Sequence, residues 1–119
     1  MPILEPSHRR DWADATAAPD TWKGEWQGGA FGAGISVIFF RAEGIGSGPK
    51  LHTHPYPETF IMRTGRALFT LGDQTVEAVA GDIVVAPANV PHKFANLGPG
   101  VLESIDIHEA GSFETMWLE

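Results

Sequence analysis

Residues 46–65 read GSGPKLHTHPYPETFIMRTG, and residues 81–96 read GDIVVAPANVPHKFAN. The first stretch opens on a loop, because glycines and a proline over 44–49 hold neither a helix nor a long strand. KLHTH (50–54) alternates and stops at Pro55-Tyr56-Pro57, where two prolines force an extended, turning link. Alternate side chains of a strand share a face, so His52 and His54 point the same way. Glu58 keeps that parity, but a straight strand would carry it ~20 Å from His52, at ~3.3 Å per residue. The proline bend removes the separation by letting Glu58 start the adjacent strand. His92, just after Val90-Pro91, then arrives on a third strand.

The same punctuation continues outward. ISVIFFRAE (35–43) is apolar through its middle, as expected of a strand covered on both faces. ETFIMRT (58–64) runs to Gly65, and ALFTLGD (67–73) runs to a turn at Gly72-Asp73. TVEAVA (75–80) ends at Gly81, DIVVA (82–86) ends at Pro87, and HKFAN (92–96) follows the next turn. A Gly-Pro-Gly loop (98–100) leads into VLESIDIHE (101–109). Strands this short, with turns this regular, predict an all-β barrel or sandwich. The barrel is expected over residues 34–111. Residues 1–33 read as an irregular arm whose Trp12, Trp22 and Trp26 pack on the barrel or on a partner subunit. Residues 112–119 read as a tail that docks Met116, Trp117 and Leu118.

A chain of 119 residues fits one domain with one core. With 43% hydrophobic and 19% charged residues it has the balance of a globular protein rather than a disordered one. The net charge of −7 repels a phosphate backbone or an anionic membrane surface, so neither nucleic acid nor membrane is the expected partner. The absence of cysteine excludes disulfides and thiolate metal sites. No apolar run reaches bilayer length, and MPILEPSHRRDW has no signal-peptide core, so a cytoplasmic protein is expected.

Three imidazoles and one carboxylate form a donor set for a divalent transition metal. It suits Fe(II), Mn(II), Ni(II), Cu(II) or Zn(II), whereas Ca²⁺ and Mg²⁺ prefer oxygen. One ion and Glu58 together leave about one net positive charge, and four protein ligands leave an octahedral ion two open positions. Taken singly, each residue has a plainer reading: a chance HxH pair, a solvated glutamate, a turn histidine. Their joint placement separates them from that background.

The two stretches resemble the paired motifs of the cupin superfamily. Residues 46–65 fit G-x5-H-x-H-x3-E-x6-G at every fixed position, and residues 81–96 fit G-x5-P-x-G-x2-H-x3-N with one departure, Asn89 for the internal glycine. Asparagine replaces glycine best in a left-handed conformation, so the turn is expected to survive. The resemblance implies a small double-stranded β-helix (jelly-roll) barrel of the single-domain kind. It implies that His52, His54, Glu58 and His92 ligate one metal per chain, and that Gly65, Gly81 and Pro87 are turn residues. It also suggests a homodimer.

Counting by twos from the ligands gives a pocket lining of Phe60, Met62, Phe94 and Lys50, mostly apolar with one cation. Lys50 would pair with a substrate carboxylate or simply face solvent. His8 and His108 fall outside both motifs and read as structural or exposed, and Asn96 reads as a turn brace. The resulting expectation is a metal-dependent enzyme acting on a small organic molecule, with a carboxylate among the candidates. Its chemistry would be dioxygenase-like, or isomerase- or decarboxylase-like. The competing expectations are a binding or sensing module without turnover, and a structural barrel with a vestigial site.

Overall fold

The computed structural model describes residues 6–119. The β-rich runs pair into two five-stranded antiparallel sheets. The strands are β1 (Gly24–Gln27), β2 (Ser36–Ala42), β3 (His52–Thr53), β4 (Glu58–Thr64), β5 (Arg66–Leu71), β6 (Gln74–Val79), β7 (Ile83–Ala86), β8 (His92–Asn96), β9 (Leu102–His108) and β10 (Met116–Trp117). One sheet has the order β1-β2-β9-β4-β7 and the other β10-β3-β8-β5-β6. β4 and β8 coincide with the predicted runs 58–64 and 92–96; Pro57 and Gly65 bound the first, and Pro91 precedes the second. No strand pairing among the described residues joins the two sheets, so the jelly roll is a pair of facing sheets rather than one continuous cylinder.

Period-two alternation places the core. Phe60 and Met62 on β4, Phe69 on β5, Phe94 on β8 and Leu102 on β9 are buried between the sheets. The aromatic rings interlock, with Phe60, Phe69 and Phe94 at mutual centroid distances of 4.9–5.3 Å. Burial of each such side chain contributes about 1.5–3 kcal/mol. This packing fills the interior beneath His92, whose ring lies 6.0 Å from Phe60.

β2 reads as apolar on both faces for a reason visible in the arm. Trp12 stacks on Phe39 at 3.8 Å, and Trp22 meets the same ring edge-on at 5.1 Å. Trp22 also donates Nε1–H to the carbonyl of Ser104 and lies under the Arg63 guanidinium. These rings cover the outer face of the chain's own sheet. The arm is less irregular than expected: it holds a one-turn helix α1 (Arg9–Trp12), and β1 joins the first sheet ahead of residue 34. The tail docks through backbone pairing of β10 with β3 and through Leu118 N–H to Leu51 carbonyl. Met116, Trp117 and Leu118 themselves stay largely exposed.

The turn residues behave as their chemistry requires. Gly65 has φ +89°, and a Cβ there would lie 2.3 Å from the Val101 carbonyl oxygen, so only glycine fits. Asn89 has φ +65°, the left-handed conformation that glycine would otherwise supply. Asn96 is buried and braces its turn, donating to the carbonyls of Ala42 and Gly100 and accepting from Gly98 N–H. No helix among the described residues is long and apolar enough to cross a membrane.

Candidate metal centre

The two sheets bring four side chains together from different parts of the chain. His52 on β3 stands directly opposite His92 on β8, and His54 follows β3 before the Pro55–Pro57 bend. Glu58 reaches them from β4, in the facing sheet. All four are buried, and one donor atom from each lies within 4.8 Å of all the others. Ligand atoms ~2.0–2.2 Å from a common ion lie at most ~4.4 Å apart, so the cluster is within a few tenths of an ångström of that spread.

The far side of each ring fixes which nitrogen faces inward. His52 Nδ1 lies 2.6 Å from the Lys50 carbonyl, His54 Nδ1 2.8 Å from the Glu114 carbonyl and His92 Nδ1 3.0 Å from the Val90 carbonyl. A carbonyl only accepts, so each Nδ1 carries the hydrogen and each neutral ring turns an Nε2 lone pair inward. Glu58 Oε1 lies 3.1 Å from Nε2 of both His54 and His92. Lone pairs and a carboxylate that converge in a buried site repel one another unless a proton or a metal cation sits among them. His54 Nε2 is fully buried and, despite its 3.1 Å separation from Glu58, lacks the alignment of a hydrogen bond. Because the His54 hydrogen sits on Nδ1, the atom it turns to the carboxylate is a lone pair, which suits a metal ligand.

Titration behaviour follows from the same geometry. Burial holds His52 below its ordinary value. Burial opposes the charge on His54 too, but Glu58 and the Glu114 carbonyl outweigh it and push that imidazole up. Burial would raise the Glu58 carboxyl; His108, His54 and His92 reverse this and hold it far below the usual carboxylate range.

His108 is the residue that the motif reading left out. It lies on β9 opposite Glu58, is buried, and places Nε2 2.9 Å from Glu58 Oε2. Its Nδ1 lies 2.8 Å from the Tyr56 hydroxyl, which itself accepts the Glu114 N–H. Tyr56 can donate to Nδ1, which leaves the hydrogen on Nε2, facing the carboxylate. His108 therefore presents the opposite tautomer to the three clustered histidines and turns an N–H toward Glu58 from behind, close to Oε2 but, like His54 Nε2, out of hydrogen-bond alignment.

Residues 40–108 match the Cupin domain family. The chain is a cupin. It is 36% identical over 44 residues to the uncharacterized protein SCO3923 of Streptomyces coelicolor, an alignment that spans 37% of this chain and 42% of that one. Among solved structures, Bacillus subtilis oxalate decarboxylase, which has Mn(II) centres, superposes with a TM-score of 0.73 at 22% identity. That match covers 80% of this cupin and 27% of the decarboxylase chain. An uncharacterized double-stranded β-helix protein of Klebsiella pneumoniae superposes with a TM-score of 0.65 at 24% identity, covering 70% of this chain and 69% of that one. At these identities the structures share the fold with this cupin.

A cavity of about 260 Å³ opens over the cluster, and His52, His54 and Glu58 form part of its floor. Of the four lining residues expected from strand parity, Phe94 lies in its wall. Phe60 and Met62 point inward as expected but sit deeper, in the packed core, and do not border the cavity. Lys50 is exposed and lines a separate surface depression with Lys93 and Glu119. Regular pairing starts only at His52, so counting back to Lys50 crossed out of the strand. The other walls come from Ile38 and Phe40 of β2, Asp106 of β9, and Phe113, Thr115 and Trp117 of the tail. Asp106 is buried and accepts the Ser104 hydroxyl at 2.6 Å; burial and the Glu58 charge push its carboxyl well above the ordinary value. His8 lies exposed in the arm, far along the chain from the cluster.

Proposed function

We propose that this cupin holds one divalent transition metal through His52, His54, Glu58 and His92 and acts as a metal-dependent enzyme on a small organic molecule. One observation carries the reading: three imidazoles, each locked at Nδ1 by a backbone carbonyl, converge with a buried carboxylate. When bound, the metal would supply Lewis-acid polarisation of a ligand oxygen, or electron transfer if the ion is redox-active. Iron, manganese, nickel, copper and zinc all suit the donors. Glu58 neutralises part of the charge, and His108 keeps the carboxylate oriented. Ile38, Phe40, Phe94 and Phe113 keep bulk water from the floor, which strengthens every polar interaction there. A buried carboxyl in the same cavity, Asp106, is suited to exchange a proton with a bound molecule, which favours turnover over passive binding.

Two reaction classes fit: oxygen-consuming cleavage, and decarboxylation or isomerisation without oxygen. The test is to incubate metal-loaded protein with panels of small ketones, phenols and acids, following dissolved oxygen and substrate by mass spectrometry. Metal-dependent conversion of at least one bound compound is expected. Compounds that bind and are returned unchanged would instead assign a binding or sensing role. The same reading includes a homodimer. Trp12 and Trp22 of the arm are used within the chain, so exposed Ile83 and Val85 on edge strand β7 are the proposed contact, and light scattering at the monomer mass would reject it.

A further inference from the structure

We infer that the cavity over the donor cluster selects an uncharged small molecule, with an apolar body and an oxygen donor directed at the floor, and discriminates against small dicarboxylates. The inference rests on the metal-site reading for its floor and on the wall composition for its selectivity. Ile38, Phe40, Phe94, Phe113 and Trp117 make the wall apolar and aromatic. The charged side chains in the lining are all acidic: Glu25 at the rim, Glu58 in the floor and Asp106 in the wall. Among the described residues no Lys or Arg lines the cavity. The sequence-predicted cation, Lys50, faces outward into another depression.

Recognition of a buried carboxylate ordinarily uses an Arg fork or a Lys ammonium, since an anion taken from water without such a partner keeps its full desolvation penalty. The floor supplies only the single net positive charge left by a dication and Glu58. A dianion would overcompensate that charge and would still meet Glu25 and Asp106. Asp106 carries no positive charge in either protonation state, so the wall lacks a cation whichever form it takes. Size adds a second restriction. At about 260 Å³ the cavity is smaller than the roughly 300–1,000 Å³ of sites for drug-sized ligands. A single ring or a short chain is the fitting size.

The experiment uses full-length protein loaded with Zn(II), with one metal per chain verified by elemental mass spectrometry. Cyclohexanone, a single ring whose carbonyl oxygen stays uncharged when it meets a cation, and oxalate are titrated calorimetrically at pH 7, with metal retention measured after each run. Cyclohexanone is expected to bind at least about tenfold more tightly than oxalate. Glu25→Lys, an exposed rim substitution, is expected to raise oxalate affinity severalfold. Oxalate binding equal to or tighter than cyclohexanone, or no cyclohexanone binding at millimolar concentration, would overturn the inference. If no metal is retained, the metal-site reading fails separately. The same pair titrated into metal-free protein then reads the walls alone, with cyclohexanone still expected to be favoured and equal binding overturning the preference.

Discussion

Replacing His108 by Phe keeps a ring in the space behind Glu58 but removes the nitrogen that faces Oε2 at 2.9 Å. A hydrogen bond to a charged group contributes about 1.5–3 kcal/mol. The His108 contact is short but poorly aligned in this geometry, which places it at the low end. A loss of about 1.5 kcal/mol in metal-binding free energy is expected, close to tenfold in affinity at 1.4 kcal/mol per decade. Removal of such an outer partner of a ligand typically costs ~10–100-fold, in agreement. The assay is competition for Zn(II) against a fluorescent chelator, at fixed pH and salt, with stoichiometry read from the same curve. One site per chain should remain, at reduced affinity, and His108→Gln, which restores an N–H donor, should recover part of the loss. Affinity unchanged within twofold would refute this contribution. Complete loss of the site, matching His92→Ala, would show instead that His108 is itself a ligand.

Asp106 and Glu58 give opposite pH signatures in the metal-free protein. The Asp106 carboxyl is raised by burial first and by Glu58 second, so the folded state binds its proton more tightly than the unfolded state. Stability should therefore fall as pH rises from about 4 through the raised value, and Asp106→Asn should flatten that slope in urea titrations between pH 4 and 8. The Glu58 carboxyl is depressed, so its contribution is present above about pH 4.3 and is lost as pH falls. Asn89→Gly should leave thermal stability within a degree or two, whereas Asn89→Ala should cost about 1 kcal/mol, because φ +65° penalises a Cβ. Gly65→Ala combines φ +89° with a clash against the Val101 carbonyl and should lower Tm by at least about 5 °C in a calorimetric scan.

The four donors were legible because their chemistry is local: an HxH pair, a proline bend and a histidine after a Pro turn are all written within two short stretches. Strand β4 was legible to the residue for the same reason, bounded by Pro57 and Gly65. His108 and Asp106 were not, because their roles depend on the register of β9 against β4. That register pairs Glu58 with His108 and Phe60 with Asp106, and nothing adjacent in the sequence records it. The tail was hidden in a similar way. Phe113, Thr115 and Trp117 reach the cavity only because the chain returns to add β10 beside β3. Lys50 failed because parity holds only inside a regular strand. The arm concealed β1, whose GEWQ has too few apolar residues to announce a strand without its partner β2.

The most direct test of the central claim is elemental mass spectrometry of untagged protein purified without chelator, run beside His52→Ala, His92→Ala and His8→Ala. The account predicts about one transition metal per chain in the parent and in the exposed arm variant His8→Ala, and a near-complete loss in the other two with the fold retained by circular dichroism. Full metal occupancy in His52→Ala and His92→Ala, or a folded parent that takes up no metal on reconstitution, would contradict it.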